Sequence, residues 1–159
     1  MMSKLRTELK KRNDFDSLSQ EALLSILRTS DLLENRVSRL LRQYELTMAQ
    51  YNVLRILRGN GKPMPTLEVA ESMIQVAPAI TRLVENLRSR GLVVKSRHED
   101  DARVFMLSLT NDAKKLLRRI DRPLLTLHDQ LMDGVNDSKL RALIDTLDAV
   151  RVAVHKLDD

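Results

Sequence analysis

The run Pro78-Ala79-Ile80-Thr81-Arg82-Leu83-Val84-Glu85-Asn86-Leu87-Arg88-Ser89-Arg90-Gly91, followed at once by Leu92-Val93-Val94-Lys95-Ser96, decides how this chain is read. Ile80, Leu83, Val84 and Leu87 recur at steps of three and four, the spacing of one buried face on an α-helix. Pro78 suits the first turn, where its missing N–H costs nothing, and Gly91 suits the position just past the end. A helix is therefore predicted over 78–90. On the helical wheel its opposite face carries Pro78, Arg82 and Glu85, flanked by Gln75, Thr81 and Asn86. After Gly91 the period changes. Phe105, Leu107 and Leu109 alternate with Val104, Met106 and Ser108, and together with 92–96 they predict two strands of a hairpin. Between them, Arg97-His98-Glu99-Asp100-Asp101-Ala102-Arg103 makes a charged tip.

Upstream, Thr47-Met48-Ala49-Gln50 has the Thr-x-x-Gln form of a capping box, so a helix should start at Met48. Val53, Leu54 and Leu57 line its inner face, and Gly59-Asn60-Gly61 ends it. Pro63, Pro65 and Thr66 lead into a short helix from Leu67 to about residue 73, with Thr66 as the expected cap. Longer helices lie outside. Over 17–44, Ile26, Leu33, Val37, Leu40 and Tyr44 form a narrow apolar seam of the kind that packs against a partner chain. Thr110 should cap a helix to about residue 131, which Pro123 is expected to kink or interrupt. Asn136-Asp137-Ser138 then start a last helix with Leu140, Leu143, Leu147, Val150, Val154 and Leu157 on one stripe.

Composition narrows the function classes. Four Gly and four Pro in 159 residues are too few for a many-turned all-β fold. The absence of cysteine excludes disulfides, thiolate zinc sites and thiol switches. No apolar run reaches the roughly 18–20 residues needed to cross a bilayer. The basic start has no apolar stretch behind it, so no secretory signal is expected and the reading is a cytoplasmic protein without a membrane partner. The net charge of +5 suits a nucleic-acid partner, although Lys4, Arg6, Lys10, Lys11 and Arg12 concentrate much of it at the N-terminus.

Helix, short turn, helix and hairpin is the order of a winged helix-turn-helix. The expected fold is mainly α with a small two-stranded β wing, flanked by long N- and C-terminal dimerisation helices. Four segments follow: a basic arm over 1–16, a dimerisation helix over 17–45, a DNA-binding lobe over 46–110 and C-terminal dimerisation helices over 111–159. Dimer contacts are expected from Ile26, Leu33, Val37, Leu40, Leu143, Leu147, Val150 and Val154. A symmetric dimer would read a pseudo-palindrome with its half-sites one helical turn apart.

The chain resembles the MarR-type transcriptional regulators over roughly 17–154. The resemblance rests on Leu46-Thr47-Met48-Ala49-Gln50-Tyr51-Asn52-Val53-Leu54, Ala79-Ile80-Thr81-Arg82-Leu83-Val84-Glu85-Asn86-Leu87 and Gly91-Leu92-Val93. The wing Asp101-Ala102-Arg103 and Leu107-Ser108-Leu109-Thr110 complete it. It implies a homodimeric regulator, expected to be a repressor with activation as the alternative. The recognition helix would lie in the major groove, with Arg82 touching backbone or bases. Arg103 would enter the minor groove, and Asp101 would orient neighbouring arginines. It also implies a small aromatic or anionic ligand held between the dimerisation helices and the lobe. Ala102 stands where a basic residue or Gly is common in that family, and Ala113 where Gly is usual.

The candidate DNA contacts are thus Gln75, Pro78, Thr81, Arg82, Asn86, Lys95, Arg97 and Arg103, with Asp101 in support. Amides and hydroxyls such as Gln75, Thr81 and Asn86 can pair with base edges. Blander readings stand beside these. Arg82 could pair with Glu85 on the surface, Arg103 could bridge to Asp100 or Asp101, and Lys62, Lys95 and Arg97 could be plain surface. Any ligand pocket is expected where Ile26, Ser30, Tyr44 or Tyr51 approach the third helix and wing, while Met48, Met64, Met73, Met106 and Met132 read as core filling before pocket lining. His98, His128 and His155 lack metal-ligand spacing, and no catalytic constellation is present, so neither metal, cofactor nor enzymatic activity is expected. The rival reading is a winged-helix protein-interaction module without specific DNA binding.

Overall fold

Several helix starts in the chain follow from a side chain that satisfies a backbone group. In the computed structural model, which describes residues 4–75 and 79–157, the order is α1 (Lys4–Glu8), α2 (Leu18–Arg42), α3 (Met48–Asn60), β1 (Met64–Pro65), α4 (Thr66–Glu71), α5 (Ile80–Ser89), β2 (Val93–Arg97), β3 (Phe105–Leu109), α6 (Asn111–Leu131) and α7 (Asp137–His155). Ser17 caps α2 by accepting the Gln20 N–H, and Asn136 caps α7 by accepting the Lys139 N–H. Both halves of the Thr47–Gln50 capping box form at the start of α3, and Gly61 closes that helix at φ 74°. Thr110 caps α6 through the Ala113 N–H at 3.1 Å, while its hydroxyl donates to the Gly91 carbonyl at 2.8 Å.

Three elements differ from expectation. The sheet has three strands, in the antiparallel order β1-β3-β2, where the sequence suggested two. Met64 pairs with Leu107 and is buried, whereas Pro65 tolerates only an edge position because it has no ladder donor. Two residues are too few to display a period. Second, Thr66 does not cap α4; it is the first helical residue, and its hydroxyl donates to the Phe105 carbonyl at 3.1 Å. Third, the basic arm is folded. Leu5 of α1 is buried, and Arg6 pairs with Asp14 while donating to the Arg12 carbonyl, so this guanidinium closes the turn after the helix.

The core joins α2, α3, the sheet, α5 and α6. Leu41, Leu54, Leu87, Leu107, Leu117 and Ile120 are among its fully buried members. Leu117, Ile120 and Leu124 carry the lobe past the boundary expected at residue 110: the first compact unit ends at Leu124. The C-terminal part of the α2 seam turns inward. Val37 and Leu40 pack against the lobe's own core, while Leu18, Leu23, Leu27 and Leu32 are the large apolar residues that α2 leaves exposed. A 3.5-residue stripe cannot by itself distinguish a partner chain from the same chain's core. The second unit, 125–159, contains α7, which buries none of its residues.

Pro123 does not interrupt α6. A proline at 123 leaves the Arg119 carbonyl without its partner four residues on. The Tyr44 hydroxyl donates to that carbonyl at 3.4 Å, and the Arg119 guanidinium lies 5.8 Å from the Tyr44 ring centroid. A residue far along the chain thus supplies the donor that proline lacks. Tyr44→Phe is expected to lower unfolding free energy by about 0.5–1 kcal/mol. In a Pro123→Ala background, where the helix regains its own donor, that loss should shrink toward zero. Urea titration of the four-member cycle measures the coupling, and additive losses would remove the assignment.

Candidate nucleic-acid interface

The helix α5 follows Ala79, whose side chain offers no cap, and Pro78 lies outside the described residues. Val84 and Leu87 anchor one face in the core, which leaves Thr81 and Arg82 exposed on the other. Arg82 forms no ion pair among the described residues. A partner fixes each of the remaining expected contacts on or near this helix. The Asn86 side-chain oxygen accepts from Gln50 Nε2 at 2.6 Å, and Gln75 Nε2 donates to Glu34 Oε1 on α2 at 2.6 Å.

Glu85 organises the charge between helix and wing. It accepts from Arg88 at 2.9 Å and from Lys95 of β2 at 3.3 Å. The hydrogen bond from Arg88, then that from Lys95, holds its carboxyl below the usual carboxylate range. Lys95 also sits 4.3 Å from the Phe105 ring centroid, with Arg97 5.8 Å from the same ring. The Lys95 side chain is only 22% exposed, so it is engaged within the lobe.

The wing tip is a hydrogen-bonded turn. His98 N–H donates to the Val104 carbonyl at 2.9 Å, and Val104 N–H donates to the Asp101 carbonyl at 3.0 Å. Asp101 Oδ1 accepts the Arg103 backbone N–H at 3.0 Å and lies 3.9 Å from Arg103 Nε. The Arg103 side chain is 96% exposed. Asp101 thus holds the base of an arginine whose guanidinium remains in solvent.

A cavity of about 750 Å³ lies behind α5, bounded by α2, the first turns of α3 and residues 73–75. Leu33, Val37, Met48, Met73 and Leu83 give it an apolar wall, with Glu34, Gln50, Arg82 and Asn86 as polar points. Of the four residues expected near a pocket, only Ser30 lines it. Tyr44 packs on α6 instead, and burial pushes the Tyr51 phenol up, with Arg58 opposing. Gln50 is the residue that sequence reading missed. Its capping role was evident, but its reach to a residue 36 positions along the chain leaves no local pattern.

Among the described residues, no group of three His, Asp or Glu could hold a metal ion, and no helix is long and apolar enough to cross a membrane. The profile of the family described as "Transcriptional regulator SarA/Rot" matches residues 36–120, more than half the chain. A MarR transcription factor from Planctomyces limnophilus is 36% identical, with a TM-score of 0.66 over 86% of this chain and 99% of that one. The chain is a MarR-type regulator of the SarA/Rot family. Among relatives of this regulator, the HTH-type transcriptional regulator FarR from Neisseria gonorrhoeae is 24% identical over 78% of this chain and 84% of that protein. CouR from Rhodococcus jostii, solved bound to p-coumaroyl-CoA, shares the fold with a TM-score of 0.72 and 22% identity, over 86% of this chain and 95% of that one. Family membership decides between the two earlier readings: the regulator is a DNA-binding transcription factor, and the protein-interaction alternative falls away.

Two stability predictions follow from the regulator's geometry. Gln50→Ala removes both the capping partner of Thr47 and the donor to Asn86, and should cost about 1–3 kcal/mol in urea unfolding. Because the folded Glu85 carboxyl lies below its unfolded value, its two pairs stabilise the fold above the ordinary carboxylate range, and this is lost as pH falls through the lowered value. Glu85→Gln should remove that acid-side loss from a pH series of melting temperatures. An unchanged series would show that the pairs are energetically silent.

Proposed function

We propose that this regulator is a cytoplasmic, homodimeric repressor that binds a pseudo-palindromic operator, with α5 in the major groove and the wing in the minor groove. The observation that carries this reading is the exposed Thr81–Arg82 face of α5, backed by a buried face and flanked by a wing that projects Arg103. Arg82 would meet base edges or phosphate, where a guanidinium binds in a bidentate way. Arg103 would reach the minor groove, its entropy cost lowered by the Asp101 tether. Thr81 is the remaining base reader. Asn86, Gln75 and Lys95 then act chiefly by holding α5 and β2 in place, and Arg97 supplies phosphate attraction at the wing.

The dimer reading is supported by α7. Leu143, Val150 and Val154 are exposed along its length, with Leu147 half-buried. That stripe suits a second copy better than water. The cavity behind α5 supports a ligand as well. Its apolar wall and single arginine fit a small aromatic or anionic molecule that would alter the pose of α5.

Fluorescence anisotropy with duplex from the gene's own upstream region, against a shuffled duplex and at several salt concentrations, tests the DNA reading. Wild type should prefer the upstream duplex, with a steep fall in affinity as salt rises. Arg82→Ala should weaken that complex by about 1–3 kcal/mol, and Arg103→Ala should weaken it by a similar amount. Wild-type affinity in either variant would remove that residue from the interface. Leu143→Glu combined with Leu147→Glu should halve the sedimenting mass, whereas an unchanged mass would place the dimer contact elsewhere.

A further inference from the structure

A second cavity, of about 430 Å³, lies at the far end of α3 from the first. Arg58, Lys62, Lys114 and Arg118 line it, over a floor that includes Leu57 and Pro63. We propose that this cavity binds a small anion carrying two or more phosphoryl groups, at a site separate from the DNA-reading face.

Four cations around one concavity repel each other, a cost that only an anion or free hydration offsets. Arg58 is partly neutralised by Asp121 at 2.8 Å. Lys62, Lys114 and Arg118 have no ion-pair partner among the described residues. Compensation of a helix dipole accounts for some of them and fails for others. Arg58 and Lys62 flank the C-terminus of α3, where cations are favourable. Lys114 closes the first turn of α6, where a cation works against the dipole, and Arg118 follows one turn later on the same face. Their placement is explained by an external anion, which the N-terminal end of α6 would also favour.

The site is preformed. Gly61 takes φ 74°, and Asn60 Nδ2 donates to the Lys62 carbonyl at 2.9 Å, so the turn that presents Lys62 is fixed. It is also distant from the DNA-reading surface. Ser108 and Leu109, which line it, end the strand that starts at Phe105 beside the wing tip. The two cavities lie toward opposite ends of the thirteen-residue α3, a helix of about 20 Å. The volume lies within the range of roughly 300–1,000 Å³ typical of small-molecule sites. Three unpaired cations call for more than one negative charge, and the planar fork of Arg118 matches a pair of phosphoryl oxygens.

Isothermal titration calorimetry of the full chain with tripolyphosphate and with ATP, at an ionic strength held constant with sodium chloride, tests the proposal. Saturable binding of one anion per chain is expected, unchanged in Arg82→Ala and retained when the regulator is saturated with upstream duplex. Lys114→Gln combined with Arg118→Gln should weaken it about tenfold or more. If that pair does not fold by circular dichroism, Lys62→Gln on its exposed turn provides the same comparison. Tighter binding of ATP would identify an organic polyphosphate, and tighter binding of tripolyphosphate a free one. Heats equal to those of sodium chloride, equal affinity in the variants, or displacement by duplex together with loss in Arg82→Ala would each overturn the site.

Discussion

A buried amide must find partners for both its donor and its acceptor, and the DNA-binding lobe depends on how Gln50 meets that demand. Its oxygen accepts the Thr47 N–H at 2.9 Å and closes the start of α3, while its nitrogen donates to Asn86 on α5. Arg90, which follows α5 one turn after Asn86, donates to the same oxygen at 3.5 Å. A helix packed only through Val84 and Leu87 could roll on its apolar face at little cost. Hydrogen bonds are directional, so the Gln50 contact fixes the rotation that apolar burial leaves free. The exposure of Thr81 and Arg82 is therefore set from the start of another helix.

Charge is arranged on the same plan. The chain carries +5 overall, yet near α5 most cations are already committed. Glu85 binds Arg88 and Lys95, and Phe105 lies under Lys95 and Arg97. These exposed or half-exposed pairs contribute little stability each. The Glu85–Lys95 pair joins β2 to α5, and Phe105 joins β3 to β2, so that wing and helix keep one spacing. Arg82 forms no ion pair among the described residues, and Arg103 is held at its base by Asp101. An arginine held in this way loses less entropy when its guanidinium is engaged than a mobile lysine would.

Local chemistry was legible in the sequence, and long-range contact was not. The Thr47–Gln50 box, Gly61, Asn136 and the alternation in 104–109 each announce their structure within a few residues, and each stands where it was read. Val37 and Leu40 of the α2 stripe pack on the lobe's own core, which the stripe alone does not reveal, because periodicity names a buried face without naming what buries it. Met64–Pro65 was too short to show a period, and Thr66 spent its hydroxyl on Phe105. Asn86 and Lys95 have the chemistry of DNA contacts, yet both are taken up by Gln50 and Glu85. Amide and ammonium groups suit base edges, phosphate and protein alike. Only the fold decides which of these they meet.

The two cavities at the ends of α3 differ in what an occupant could move. The larger is lined by Gln50, Asn86 and Arg82, which are the joint of the recognition helix and its free cation. An occupant there can bias the pose of α5 only by as much as its affinity differs between two poses, and a nearly complete reversal would need about 5.5 kcal/mol of difference. The Gln50–Asn86 bond is the natural lever, because a ligand that satisfies Gln50 by itself removes the contact that fixes the rotation of α5. The smaller cavity touches none of these groups; its walls are the end of α3, the root of β3 and the start of α6. An anion bound there would stabilise the frame by mass action in either pose of α5. Equal affinity for both poses shifts neither, so a ligand at this end adds stability to the regulator without dictating whether it holds DNA.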